Sequence, residues 1–155
     1  MRPLIRPATT QDIPLIHRLL RDYANDGRLL ARPESEIENR LPGFVVSEHE
    51  GEVVGCGALE VFTKDLGEVR SLAVVPESHG NGHGRTMVEQ IEAMARDRGL
   101  KRIIALTYVP GFFRKLGYHI VSMGSLPEKV FGVCVTCPKF HQCDEIAMQK
   151  ELTPN

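Results

Sequence analysis

Hydrophobic residues recur along this chain with two different periods, and these periods predict where helices and strands lie. Two long segments have the helical period. The first begins near Thr10, a good N-cap residue, and is ended by Gly27, whereas the second follows a glycine-rich turn and is ended by Gly99. The apolar face of the first helix consists of Ile13, Leu15, Ile16, Leu19 and Leu20, and that of the second of Met87, Val88, Ile91, Met94 and Ala95.

Shorter segments complete the pattern. Strands are predicted at 4–6, 44–47, 52–59, 67–75, 102–107, 118–121 and 145–150, and short helices at 34–40 and 111–116. The first half of strand 67–75 alternates charged and apolar residues, and its second half is nearly all apolar. We therefore expect one end of this strand to face a solvated pocket while the other end is buried. The element order predicts an α/β fold with a strand–turn–helix–strand unit at its centre.

Composition and charge narrow the functional classes. The chain has 155 residues, which fits one domain spanning 1–155, and 42% of them are hydrophobic. Nineteen basic and twenty acidic residues give a net charge of −1, which argues against a nucleic-acid partner but allows a local basic pocket for a small anion. No apolar run approaches the roughly 20 residues that cross a membrane, and the N-terminus has no signal-peptide pattern. We therefore expect a cytoplasmic protein without a membrane partner.

A glycine-rich turn, His79-Gly80-Asn81-Gly82-His83-Gly84, joins the central strand to the second long helix. Glycines at alternating positions let the backbone curl, and amides at a helix start favour an anion such as a pyrophosphate. Taken alone, the pattern suits a plain connecting turn equally well. The spacing differs from that of a dinucleotide fingerprint, and no Lys-Ser or Lys-Thr follows, as a P-loop would require.

The turn, together with the later segment Phe112-Phe113-Arg114-Lys115-Leu116-Gly117-Tyr118, resembles the GNAT superfamily of acetyltransferases. The resemblance implies a mixed, largely antiparallel central sheet flanked by helices, and acetyl-CoA as the cosubstrate. His79 stands where the family usually has Arg or Gln, and His83 where an apolar residue is common. The residues that the resemblance assigns to the cofactor are Leu72, Ala73, Val74, His79, Gly80, Asn81, Gly82, His83, Gly84, Arg85, Thr86 and Phe113.

A finer resemblance is to the short N-acetylglutamate synthases, the amino-acid N-acetyltransferases that perform the first step of arginine biosynthesis. It is carried by segments 27–32, 68–74, 106–113, 125–130 and 134–145. This resemblance implies transfer of an acetyl group to the α-amino group of the small molecule L-glutamate. A dimer is common among proteins that resemble this one.

Acetyl transfer to an amine needs a group that accepts the amine proton. Glu68 is placed to do so directly or through water, and a surface glutamate is the alternative interpretation. Arg70 shares a face with Glu68 and suits a substrate carboxylate, or else a salt bridge to Glu68 itself. Glutamate carries a second carboxylate, for which Arg32 and Lys129 are candidates, with solvated charge as the alternative for each.

The departing CoA thiolate needs a proton donor. Phenylalanine occupies both positions, Phe112 and Phe113, where many GNAT enzymes have a tyrosine. Tyr108 is a candidate substitute, with a packed aromatic as the alternative, and Ser71 or a water could also serve. The backbone of 72–74 is expected to pair with the pantetheine arm like an added strand, and its amides to polarise the thioester.

A late cluster, Cys134, Cys137, His141 and Cys143, has a compact ligand spacing. A second Cys-x-x-Cys pair is missing, so a thiol-bearing loop over the substrate is favoured over zinc, and no metal is expected. Cys56, alone in a strand, is interpreted as a core residue. Two rivals to the glutamate enzyme remain: acetyl transfer to another amine, and a CoA-binding sensor without turnover.

Overall fold

The computed structural model describes residues 3–25, 33–122 and 146–153, and these form four α-helices and seven strands. The helices are Ile13–Asn25 (α1), Glu34–Asn39 (α2), His83–Asp97 (α3) and Pro110–Lys115 (α4). The strands are Leu4–Pro7 (β1), Phe44–His49 (β2), Glu52–Val61 (β3), Leu66–Val74 (β4), Arg102–Thr107 (β5), His119–Ile120 (β6) and Ile146–Glu151 (β7).

The strands join one mixed sheet in the order β1-β2-β3-β4-β5-β7-β6. The pairs β1–β2, β2–β3, β5–β7 and β6–β7 are antiparallel, while β4–β5 is parallel. The predicted mixed, largely antiparallel sheet flanked by helices is therefore confirmed. By its contacts the chain divides into two compact units: residues up to 59 with 69–94, and residues 60–68 with those from 95 onward.

The first unit has helices on both faces of its strands. On one face, residues of α1 and α2 such as Ile16, Leu20 and Ile37 pack in one buried cluster with Val46 and Cys56 of β2 and β3. On the other face β3 has glycines, because α3 lies very close to it. A Cβ added to Gly55 would lie 3.0 Å from the Met87 methyl, and one added to Gly57 would lie 3.1 Å from Ile91.

The hairpin between β2 and β3 turns at Glu50 and Gly51, as predicted. Both residues have positive φ, +52° and +83°, which a two-residue type I′ turn requires. The register places Ser47 opposite Gly55 and Val46 opposite Cys56. Since neighbouring residues of a strand point to opposite faces, Ser47 and Gly55 face α3 while Val46 and Cys56 face the α1 side.

The start of α1 differs from the sequence prediction. A single 3₁₀ turn, Thr10–Asp12, precedes α1, and its N-cap is Thr9 rather than Thr10, since the Asp12 carboxylate accepts a 2.7 Å hydrogen bond from the Thr9 amide. Arg6 binds the same carboxylate with both Nη atoms, at 2.8 and 3.0 Å. These hydrogen bonds hold the pKa of Asp12 below its usual value. Leu15, predicted on the apolar face, is 36% exposed.

The second unit is built on β5. This strand pairs over all six residues with β7, and Leu66 of β4 joins Ile104 and Ala147 in a separate buried cluster. Gly117, with φ +96°, ends α4 as predicted, and Lys150 of β7 donates to the carbonyl of Leu116 at 2.9 Å. In the part of the chain that the structure describes, no helix has the length and apolarity to cross a membrane.

Candidate active site

The turn before α3 has the backbone that its glycines predict. Gly80 and Gly82 have φ of +85° and +84°, a region that side-chain-bearing residues rarely adopt. Both glycines are exposed, and α3 begins at the next residue, His83. Gly84 is already helical, so two glycines rather than three shape the turn. The free amides of the first turn of a fifteen-residue helix thus follow directly on an exposed, tight loop, which suits an anion.

Two side chains of the turn hold its own backbone. Nε2 of His79 donates to the carbonyl oxygen of Val74 at 2.7 Å, so the turn is tied to the end of β4. The Thr86 hydroxyl donates to the carbonyl of Gly82 at 2.8 Å. Arg85 is exposed, and its Nε lies 3.7 Å from Oε1 of Glu89, one turn further along α3. The structure therefore brings two of the predicted cofactor residues, His79 and Val74, into direct contact.

His83 lies in the interior, although the sequence assigned it to the cofactor. Its side chain is 2% exposed, and ring Nδ1 is hydrogen-bonded to the hydroxyl of Ser47 in β2. The ring also meets that of His49 edge to face, with 6.0 Å between centroids. Burial lowers the pKa of His83, and the nearby His49 lowers it further. The His83 side chain thus packs the helix start against the sheet, and only its backbone belongs to the exposed turn.

Strand β4 contains an irregularity that the sequence did not predict. Ser71 has φ +57° in the middle of the strand, where a non-glycine residue rarely takes this conformation. A residue with positive φ inside a strand is typical of a β-bulge. The irregularity at Ser71 is therefore called the bulge of β4.

Glu68 lies just before this bulge and is only 3% exposed. This burial corrects the expectation that the charged end of the strand faces solvent, and it excludes a surface glutamate. The parallel pairing of β4 with β5 covers Leu66–Glu68 against Arg102–Ile104, so Glu68 is the last paired residue. Arg70, two residues on, is half-buried. A carboxylate held in a protein interior next to an interruption of strand pairing is suited to proton transfer.

Two other candidates lie in the second unit. Tyr108 follows directly on β5, is half-buried, and stands four residues beyond Ile104, which corresponds to about 13 Å along a strand. Phe113 is 5% exposed and contacts the rings of Phe112 and Tyr118 edge to face, at 5.0 and 5.2 Å. Phe113 therefore belongs to a packed aromatic group at the end of α4.

Several candidates lie outside the described residues. These are Arg32, Lys129 and the late cluster Cys134, Cys137, His141 and Cys143. Within the described ranges, no group of three His, Cys, Asp or Glu side chains is arranged to hold a metal ion.

A family model with the description acetyltransferase (GNAT) family matches residues 13–118, more than half of the chain. The chain belongs to the GNAT family of acetyltransferases. An uncharacterised N-acetyltransferase of Chlorobaculum tepidum is 38% identical to this GNAT protein over 148 residues, 96% of either chain. An amino-acid acetyltransferase of Mycobacterium tuberculosis is 38% identical over 133 residues, 84% of this chain and 76% of the relative.

Among solved structures, the N-acetylglutamate synthase of Neisseria gonorrhoeae in complex with coenzyme A and N-acetyl-glutamate is similar, with a TM-score of 0.87 and 30% identity. The similarity covers 99% of this GNAT chain but only 36% of that protein. These findings confirm the resemblance to GNAT acetyltransferases and amino-acid acetyltransferases, and acetyl-CoA as the cosubstrate. The individual roles of the site residues stay predictions.

The close packing of β3 against β4 and α3 was not predicted from the sequence. Gly55 and Gly57 lie within the predicted strand 52–59, and in the structure they allow α3 to approach closely. Cys56 between them donates to the Ser71 carbonyl over 3.4 Å. A glycine at every second position of a buried strand is a usable signal, since it marks close approach of another backbone. The contact of His83 with Ser47 has no such signal, because the two residues are 36 positions apart.

Proposed function

We propose that this GNAT protein transfers the acetyl group of acetyl-CoA to the α-amino group of L-glutamate by direct attack. The observation that carries the catalytic part is the buried Glu68 carboxylate, located in β4 three residues before the left-handed Ser71. The glutamate part is supported by the likeness to amino-acid acetyltransferases and to an N-acetylglutamate synthase. The corresponding cellular role is the first step of arginine biosynthesis, in the cytoplasm.

In this proposal Glu68 accepts the proton of the attacking amine, either directly or through one water. The turn at Gly80–Gly82 and the start of α3 bind the CoA pyrophosphate through backbone amides. Amides of 72–74 pair with the pantetheine arm and polarise the thioester carbonyl. Arg70, Arg32 and Lys129 bind the substrate carboxylates. Ser71 also binds the substrate, and Tyr108 protonates the leaving thiolate.

We also propose that the two compact units act as one acetyltransferase domain over residues 1–155. The family match supports this, because residues 13–118 include parts of both units.

The first test is a thiol-release assay with acetyl-CoA against glutamate, glutamine, aspartate, ornithine and lysine. A clear preference for glutamate is expected. Turnover with another amine would change the proposed substrate and leave the reaction class, acetyl transfer, unchanged. Binding of acetyl-CoA without turnover of any amine would favour the alternative function, a CoA-binding sensor without catalysis.

The second test is Glu68→Gln, which keeps the shape of the side chain and removes its basicity. We expect kcat to fall by about 10²- to 10³-fold, as for loss of a general base, with little change in the Kd for CoA. Glu92→Gln in α3 is the matched control, since Glu92 is also a buried glutamate, 4% exposed, with no assigned part in the reaction. Equal turnover of Glu68→Gln and the wild type would contradict the assignment of the base.

Proton acceptance from the substrate amine also predicts a pH dependence. We expect kcat/KM to rise with pH as the amine loses its proton. A flat profile between about pH 6 and 9 would show that amine deprotonation does not limit the reaction.

A further inference from the structure

The thiol of Cys56 is directed at the most unusual backbone position of the site. Cys56 is fully buried in β3, and its Sγ donates to the carbonyl oxygen of Ser71 over 3.4 Å. Ser71 is the residue with φ +57° in β4. The contact therefore joins β3 to the one residue of β4 that has a positive φ.

The neighbours of Cys56 support the same part of β4. A Cβ on Gly55 would lie 3.0 Å from the carbonyl oxygen of Ala73, and a Cβ on Gly57 would lie 3.1 Å from the Leu72 side chain. Three consecutive residues of β3, 55–57, thus lie close to residues 71–73 of β4. The two glycines allow the close approach, and the cysteine supplies the hydrogen bond.

The hydrogen bond also fixes the direction of the next amide. The peptide between Ser71 and Leu72 is trans and planar, so its N–H points opposite to its C=O. Because the Ser71 carbonyl points towards the Cys56 thiol, the Leu72 N–H points away from it and away from the buried cluster around Cys56. Rotation of this peptide would break the contact with Sγ and turn the Leu72 amide at the same time.

We propose that Cys56 is a positioning residue for acetyl transfer, whose thiol orients the Ser71–Leu72 peptide so that the Leu72 amide faces the thioester carbonyl. Cys56 does not touch the substrate and takes no part in bond making. Its effect is on the transition state, where negative charge grows on the carbonyl oxygen and a fixed N–H donor is most valuable. The proposal rests on acetyl transfer from acetyl-CoA and does not depend on glutamate as the acceptor.

The test compares three variants by kcat, by KM for acetyl-CoA and by thermal unfolding. Cys56→Ser keeps a donor at the same place, and we expect its kcat to stay within about two-fold of the wild type. Cys56→Ala removes the donor, and we expect kcat to fall about five- to ten-fold, as for loss of one hydrogen bond, with KM for acetyl-CoA nearly unchanged.

Val46→Ala is the matched control. Val46 lies opposite Cys56 in the register and is fully buried in the same cluster. We expect Val46→Ala to lower Tm at least as much as Cys56→Ala while its kcat stays within about two-fold of the wild type. A kcat loss in Val46→Ala equal to that in Cys56→Ala would overturn the proposal, and so would equal losses in Cys56→Ser and Cys56→Ala.

A spectroscopic readout tests the contact itself without turnover. The S–H stretching band in the infrared difference between wild type and Cys56→Ser is expected at the lowered frequency of a hydrogen-bonded thiol. A band at the frequency of a free thiol would overturn the proposal. Turnover with a different amine would refute only the glutamate assignment, whereas complete absence of acetyl transfer would refute both proposals.

Discussion

Besides the hairpin turn at Glu50–Gly51, two places in the first unit hold the backbone in the left-handed region, and they do so by different means. In the turn before α3 the residues are Gly80 and Gly82, with no atom within 4 Å of the position a Cβ would take. In β4 the residue is Ser71, 8% exposed and in contact with the Cys56 thiol through its carbonyl. The turn relies on the intrinsic freedom of glycine, whereas the bulge relies on packing around a residue that disfavours the conformation.

The difference between the two places explains why the turn can be recognised from the sequence and the bulge cannot. The backbone conformation of a glycine turn can be predicted from the sequence, since few other residues adopt φ near +85°. A serine gives no such signal, since it rarely adopts a positive φ and its residue type does not indicate one. Changes at the turn should therefore act locally, and changes at the bulge should act through its neighbours.

The largest effect is expected from Gly55→Val in β3. The new Cβ would lie 3.0 Å from the backbone oxygen of Ala73 and 3.0 Å from the Met87 methyl, and the two further methyl groups have no space. Since the Ala73 oxygen belongs to backbone, we expect a loss of about 3 kcal/mol in the free energy of unfolding. Urea unfolding measures it.

Gly111→Ala is the control for the removal of a glycine. Gly111 lies in α4 with nothing within 4 Å of a Cβ, so alanine there should be neutral or stabilise by up to about 1 kcal/mol. If Gly55→Val were as stable as Gly111→Ala, β3 would not support the bulge by close packing.

A smaller effect is expected at the turn, from Gly82→Ala. The strain of an alanine at φ +84° costs about 1 to 2 kcal/mol, and a shift of the turn should raise the KM for acetyl-CoA about five-fold. Gly82→Asn tolerates the left-handed region better and should fall between the wild type and alanine in both stability and KM. Equal stability and equal KM for the glycine, asparagine and alanine proteins would show that the turn adapts to any residue and would contradict this prediction.

The smallest effect on stability is expected from Ser71→Gly. Glycine removes the left-handed strain, but it also gives the unfolded chain more freedom, and the two contributions are similar in size. We expect the free energy of unfolding to change by less than about 0.5 kcal/mol, measured by urea unfolding. A loss above about 1 kcal/mol would show that the serine side chain, and not β3, holds the bulge.

Much of the fold could be predicted because the relevant signals are local. The periodicity of 83–97 and the hairpin turn at Glu50–Gly51 depend on residues a few positions apart, and both are confirmed. The helical cap before α1 is predicted at Thr10 but lies at Thr9, because the two threonines are equally good cap residues by type. Only the contact of Asp12 with the Thr9 amide, and of Arg6 with Asp12, distinguishes them.

The sequence by itself determined the family, the glycine turn and the candidate carboxylate, because each depends on residue type at a fixed spacing. The tertiary structure alone decided that Glu68 is buried, that His83 turns inward to Ser47, and that Ser71 is left-handed. These features join β2, β3 and β4 to one another and to α3. Long-range packing selects one backbone state from several that the local sequence allows, and no local pattern records that choice.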